Sequence, residues 1–281
     1  MRAALLQLCS SDDPAENLPV TESLAREAAA GGATLIATPE CTNIVTFSRT
    51  LQKERLRPEA EDATLARLRA VADELGIWLL IGSLCLKADE PDEPRFVNRS
   101  LLIGPDGGIS ARYDKIHMFD VEVGEGESYR ESAAFRPGEQ AVLTAAGDMR
   151  LGLSVCYDLR FPHLYRDLAK AGAEILTIPA AFTVPTGKAH WHVLMRARAI
   201  ETGAYVLAPA QTGTHAASRG RARATFGHSL AVSPWGEVMA DAGEDANSVT
   251  LVDLDPEAVA RARRQIPALT HDRRYCGPES A

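Results

Sequence analysis

The chain has 281 residues, 46% of them hydrophobic, and carries a formal net charge of −8. That length and apolar fraction suit one compact, enzyme-sized domain spanning residues 1–281, with a sizeable core. The acidic balance excludes broad affinity for nucleic-acid backbones or anionic membrane surfaces, which recruit clustered lysine and arginine, and leaves chemistry on a small molecule as the reading.

In chain order, short apolar runs alternate with alanine-rich amphipathic segments, the pattern of strands interleaved with helices. Strands are predicted at residues 3–8, 34–37, 77–84, 99–103, 150–155, 174–178, 205–208, 229–232 and 249–252. Helices are predicted at residues 16–30, 63–75, 164–171, 190–202 and 256–264. Gly31-Gly32 and Gly76 end two of those helices as C-terminal caps. The opening segment is interrupted by Gln7 and reads as a buried first strand, not a signal sequence. The strongest apolar stretch, residues 76–86, is short of the roughly 18 residues a membrane span needs. Five scattered cysteines, Cys9, Cys41, Cys85, Cys156 and Cys276, suit a reducing cytoplasm.

The strand at 34–37 runs through Thr38-Pro39 into Glu40. Carboxyl ends of strands are where ligands gather in α/β folds, and a partly desolvated carboxylate there is expected to have a raised pKa and to serve as a general base; a surface glutamate is the bland alternative. Gly104-Pro-Asp-Gly-Gly108 marks a turn between two strand-like runs. Beyond it, Lys115 leaves a strand among Ile116, Met118 and Phe119, placed to stabilise a thiolate and a developing oxyanion if buried. Glu131 lies in an undistinguished loop. Cys156 ends the apolar run Leu151-Gly-Leu-Ser-Val155, just ahead of a predicted helix. Cations or helix termini lower a thiol's pKa, and a strand-to-helix turn aims backbone N–H groups at whatever bonds to the sulfur. A buried structural cysteine is the alternative. Phe182 and Thr186 follow the strand at 174–178 and either face the site or pack the loop. Segments 89–94 and 213–223 read as charged surface loops.

Three ordered blocks, Thr38-Pro-Glu40, Tyr113-Asp-Lys-Ile-His117 and Ser154-Val-Cys-Tyr-Asp-Leu-Arg-Phe-Pro162, resemble those of the nitrilase superfamily of carbon–nitrogen hydrolases. The resemblance implies a four-layer αββα sandwich with mixed central sheets. It also implies that Cys156 attacks an amide carbon to form a thioester, Glu40 acts as base, and Lys115 and the Tyr157 N–H hold the oxyanion. Glu131 enters only through this resemblance, as the second glutamate that orients Lys115. Residues 181–191, Arg196-Ala-Arg-Ala-Ile-Glu201, Ala210-Gln211, Gly227-His-Ser229, Pro234-Trp-Gly236 and the terminal Gln265-Ile-Pro267, His271 and Arg273-Arg274 look most like the branch of the deaminated glutathione amidases and omega-amidases, with the lean to the former. Such a substrate carries carboxylates, for which Arg160 and Lys188 are candidate cations, although Arg160 is also read as a structural partner of Asp158. No cofactor or metal is expected. A homodimer, built through the helices at 164–171 and 190–202, or a larger homo-oligomer, is implied.

Competing readings are weaker on the residues. His190-Trp-His192 has i, i+2 spacing, which points the rings to different helix faces, unlike the i, i+4 pairs of zinc hydrolases. Gly227-His-Ser-Leu-Ala231 is an imperfect serine elbow with only His271 downstream. Gly124-Glu-Gly126 lacks the Gly-Lys-Ser/Thr of a phosphate loop. A catalytically silent scaffold of the same fold is the reading from another class.

Overall fold

The computed structural model describes residues 1–90, 92–123 and 128–277. Two six-stranded mixed sheets form its centre. In the first, the spatial order is Ser248–Asp253, Arg2–Gln7, Leu35–Ala37, Trp78–Lys87, Phe96–Ile103 and Ile109–Asp114. In the second it is Val238–Asp241, Leu230–Val232, Tyr205–Ala208, Ile175–Thr177, Met149–Leu153 and Val142–Ala146.

The period-2 geometry of strands separates the layers. Ala4, Leu6, Ile36, Leu79 and Ile81 turn to one side and pack on Leu24, Ala25 and Ala28 of the helix Pro14–Ala30 and on Leu65, Leu68 and Val71 of the helix Ala63–Leu75. Their neighbours Ala3, Leu5, Leu35, Ala37 and Leu80 face the other way, into a core shared with Leu151, Leu153, Ile175 and Leu207 of the second sheet. That sheet is covered on its far face by the helices Pro162–Lys170 and Val184–Thr202, which bring Leu164, Leu168, Trp191 and Met195 into the same core. The order helix, sheet, sheet, helix is the four-layer αββα sandwich expected from the sequence.

All nine predicted strands and five predicted helices are present, with shifted ends. The largest shift is the helix expected from residue 190, which begins at Val184. Pro185 lies in its first turn, where a missing N–H costs nothing. Gly187 sits within it because a Cβ there would lie 2.2 Å from the Phe226 ring. The helix Arg49–Arg55 and the ribbon strands Thr212–Thr214 and Ala224–Phe226 carry no apolar period and were not expected. The Gly124-Glu-Gly126 reading lies outside the described residues.

Candidate active site

The three motif residues leave the ends of three different strands and meet in one cavity of about 330 Å³, a size suited to a small organic ligand. Glu40 follows Leu35–Ala37 and Lys115 follows Ile109–Asp114, both in the first sheet. Cys156 follows Met149–Leu153 in the second. Close approach of the sheets at this point depends on Gly82, whose Cβ, if present, would lie 1.9 Å from the Thr38 carbonyl oxygen and 2.5 Å from Pro179.

Glu40 is 4% exposed. Its Oε1 accepts from Lys115 Nζ and from Asn98 Nδ2, each at 2.9 Å, and its Oε2 accepts from the Ala181 N–H at 2.9 Å. The Cys156 thiol lies in the same cavity, near enough for the Glu40 charge and the thiol to shift each other's pKa. Lys115, 2% exposed, donates in addition to both oxygens of Glu131 at 2.9 Å. Glu131 opens a 3₁₀ turn and is held by the Phe119 N–H at 2.6 Å. Gln211, fully buried, braces the loop from behind through the Glu40 and Cys41 carbonyls.

Charge states follow from these neighbours, and two differ from the sequence expectation. Burial pushes the Glu40 carboxyl up, but Lys115, Arg223 and the hydrogen bonds outweigh it, so the group sits below its ordinary value and is a carboxylate at neutral pH. Burial and the Glu40 charge raise the Cys156 thiol well above its ordinary value, against the opposing pull of Lys115. The resting sulfur is therefore a neutral thiol beside an ionised base, not a preformed thiolate. Lys115 would lose its proton to burial alone, yet Glu131 and Glu40 hold it well above the usual lysine value.

Cys156 adopts a left-handed φ of 49°, a conformation that costs a non-glycine residue about 1 kcal/mol or more. Its N–H donates to the Pro179 carbonyl at 2.9 Å. Asp158, fully buried, holds the turn: it accepts from the Val155 N–H at 2.8 Å, the Tyr113 hydroxyl at 2.7 Å, and the His117 N–H and ring Nδ1 at 3.0 and 2.7 Å. Tyr157 is the second residue of the 3₁₀ turn Cys156–Arg160, where an N–H has no acceptor within the turn.

Phe182, Thr186 and Tyr157 line the cavity. Arg160 does not: it stacks against the outer sides of the Phe182 and Tyr157 rings, at 5.6 and 5.9 Å, and contacts His190 Nδ1 at 3.2 Å. Its expected pairing with Asp158 is absent because Tyr113, His117 and Val155 fill that carboxylate. Lys188 is exposed and also lies outside the lining. Besides Lys115, the cations lining the cavity are Arg49, Arg130 and Arg223, the last at the end of the segment read as a surface loop. Asn98 was likewise missed, although a polar residue within the apolar strand Phe96–Ile103 is itself a signal, since burying an amide requires partners.

Away from the cavity, His192, His228 and Asp241 bring three ligand-type atoms within 4.8 Å of one another. Asp241 accepts from or bridges both rings, at 2.8 and 2.9 Å. Ser229 of the imperfect elbow is fully buried, and its hydroxyl accepts from the Ala210 N–H at 2.9 Å, so it presents no nucleophile to the cavity.

The model of the carbon–nitrogen hydrolase family matches residues 2–264. This chain belongs to that family. The carbon–nitrogen hydrolase is 40% identical to a deaminated glutathione amidase of Yersinia enterocolitica over 96% of this chain and 92% of that one. Among solved structures it resembles the C. elegans NitFhit protein, with a TM-score of 0.86 and 33% identity, over 97% of this chain but 65% of that longer one. It also resembles an amidase from Nesterenkonia sp., crystallised as a mutant showing Michael addition of acrylamide at the active site cysteine, with a TM-score of 0.76, 28% identity, and coverage of 95% and 98%. These relatives place the carbon–nitrogen hydrolase in the nitrilase superfamily.

Proposed function

We propose that this protein is an amidase that cleaves a non-peptide C–N bond of a small, carboxylate-bearing substrate of the deaminated glutathione type through a thioester on Cys156. The observation that carries the reading is the bonded set Glu40, Lys115 and Glu131 in one cavity with the Cys156 thiol. Similarity to deaminated glutathione amidases supports the substrate class. Glu40, as the carboxylate, takes the thiol proton while the sulfur attacks the amide carbon. Lys115 and the Tyr157 N–H receive the oxyanion. Glu40 then gives the proton to the departing amine, and in the second half-reaction takes one from water as that water attacks the thioester. Free acid leaves and the thiol is restored. Glu131 keeps Lys115 aimed and charged throughout. No step in this sequence draws on a metal or organic cofactor.

Side-by-side kcat/KM values for deaminated glutathione and alpha-ketoglutaramate test the substrate. The expected preference is for the first; a clear preference for the second makes the enzyme an omega-amidase. Absence of both a covalent adduct on Cys156 and released product with either would leave a catalytically silent scaffold.

The same reading includes a homodimer. Its support is an exposed apolar face on the helix Val184–Thr202, where Val193 is 69% exposed and Ile200, one heptad on, is 53% exposed, next to Trp235 at 52%. A stable and fully active monomer in light scattering would overturn it. A cytoplasmic location is supported by five free thiols; among the described residues, no helix is long and apolar enough to cross a membrane.

A further inference from the structure

We infer that Arg223 binds the carboxylate at the far end of the substrate's acyl arm and so sets the preference for acids over neutral amides, an inference that rests on the amidase reading above. Arg223 precedes the strand Ala224–Phe226 and lines the same cavity as Glu40, Lys115 and Cys156. Its Nη2 donates to the Ala181 carbonyl at 2.5 Å, and its guanidinium lies 5.8 Å from the Phe47 ring centre. Its Nε is enclosed by protein and, among the described residues, meets no acceptor. No described carboxylate lies within salt-bridge distance of it. An enclosed guanidinium N–H without a partner costs free energy, and a bound carboxylate would remove that cost with the two-pronged geometry that guanidinium groups favour.

Position separates the acyl arm from the leaving group as the part bound. The Ala181 peptide donates to Glu40 through its N–H and accepts from Arg223 through its carbonyl. One peptide unit thus ties the base to the cation. The acyl arm stays on the sulfur through both half-reactions, whereas the amine departs after the first, so a group fixed beside the base serves the arm that remains. Charge balance agrees. Lys115 leaves the Glu40 and Glu131 pair with one excess negative charge, and Arg223 cancels it. Of the other guanidinium groups in the lining, Arg130 pairs with Glu122 at 3.2 Å, whereas Arg49 makes long hydrogen bonds of 3.5 Å to Gln52 and 3.4 Å to the Ala133 carbonyl, lies 5.0 Å from the Phe96 ring centre, and meets no described carboxylate. It leaves the cavity with a positive charge for an anionic substrate to neutralise.

Glutaramate and glutaramide test this, because they differ only in a carboxylate against a carboxamide at the far end. The full-length enzyme is expected to favour glutaramate. In Arg223→Gln, kcat/KM for glutaramate should fall roughly a hundredfold, mainly through KM, and that for glutaramide by a much smaller factor, so that the ratio of the two values falls at least about tenfold. Arg223→Lys should fall between, since it keeps the charge and loses the fork. Acrylamide labelling of Cys156, followed by mass, reports whether the variant's site is intact. An equal loss on both substrates with labelling preserved would overturn the assignment and leave Arg223 as a support for the Glu40 charge. Loss of labelling in Arg223→Gln and Arg223→Lys alike would also overturn it, in favour of a structural role. A wild-type enzyme that cleaves neither of these amides nor deaminated glutathione would instead sink the amidase reading itself.

Discussion

A carboxylate below its ordinary pKa beside a thiol above its own makes the first proton transfer part of the reaction, not of the resting state. That assignment has a kinetic signature. Glu40 is held below the usual carboxylate range and Cys156 well above the usual thiol range, so kcat/KM on an uncharged amide should be flat across neutral pH. A preformed thiolate would instead give an acid limb near neutrality. Glu40→Gln should lower kcat roughly a thousandfold, the range expected for a positioned general base, while Lys115 stays anchored on Glu131 and thermal stability changes little; unchanged turnover would remove Glu40 from the base's role. At this scale the sequence spoke clearly about which residues matter and misjudged their charge states. Strand-end position marks Glu40 and Cys156 as candidates, but the direction of a pKa shift is decided by neighbours such as Lys115 and Arg223, which arrive from distant parts of the chain. Arg223 was hidden for the same reason: five polar residues among the ten before it made its segment look solvated, and only the fold brings its last side chain to the cavity.

The turn that carries Cys156 is an element held by one carboxylate. Asp158 satisfies two backbone N–H groups, a hydroxyl and an imidazole, and nothing in its local sequence announces that work. Asp158→Ala leaves those donors buried without an acceptor and should cost about 3 kcal/mol or more in denaturant unfolding. It should also release the left-handed conformation at Cys156, so acrylamide labelling should slow even at temperatures where the variant remains folded. Labelling at the wild-type rate would show that the turn stands without it. The strands and helices around this turn were legible because burial writes a period into the sequence: two for strands, 3.6 for helices. The helix Arg49–Arg55 was not, since only Leu51 and Gln52 of its seven residues are buried, too few to trace a face. The early start at Val184 was obscured by Pro185 and Gly187, which read as breakers unless one knows that one occupies a first turn and the other lies against a ring.

Across the whole molecule, acid sensitivity should begin well above the carboxylate range. His215 is buried between Ser10 and Thr225, with ring contacts of 2.8 Å to each. Burial, reinforced by the Arg223 charge, lowers its pKa from 6.5 to about 4. The unfolded chain therefore binds a proton between those values that the folded chain refuses, so stability rises with pH through that window and falls as pH drops from 6.5 toward 4. The loss is about 3 kcal/mol at full protonation. Melting temperature against pH should show this slope in the wild type and a flatter one in His215→Asn; parallel curves would assign the acid sensitivity elsewhere. The alternation of strands with helices was readable from the residues, whereas the four-layer order and the oligomer were implied by resemblance alone.

The pairing of the first sheet has a consequence for synthesis. The strand Arg2–Gln7, next to the sheet's edge, lies between Leu35–Ala37 and the edge strand Ser248–Asp253, the latter held antiparallel along all six residues. The strand Arg2–Gln7 therefore waits for one of its two neighbours until residues 248–253 have left the ribosome. Cys156 emerges much earlier, before Ala181, Gln211 and Arg223 can close round Glu40. A chain made only as far as Cys156 thus lacks the groups that hold Glu40 and raise the thiol, and its sulfur should react as an ordinary cysteine.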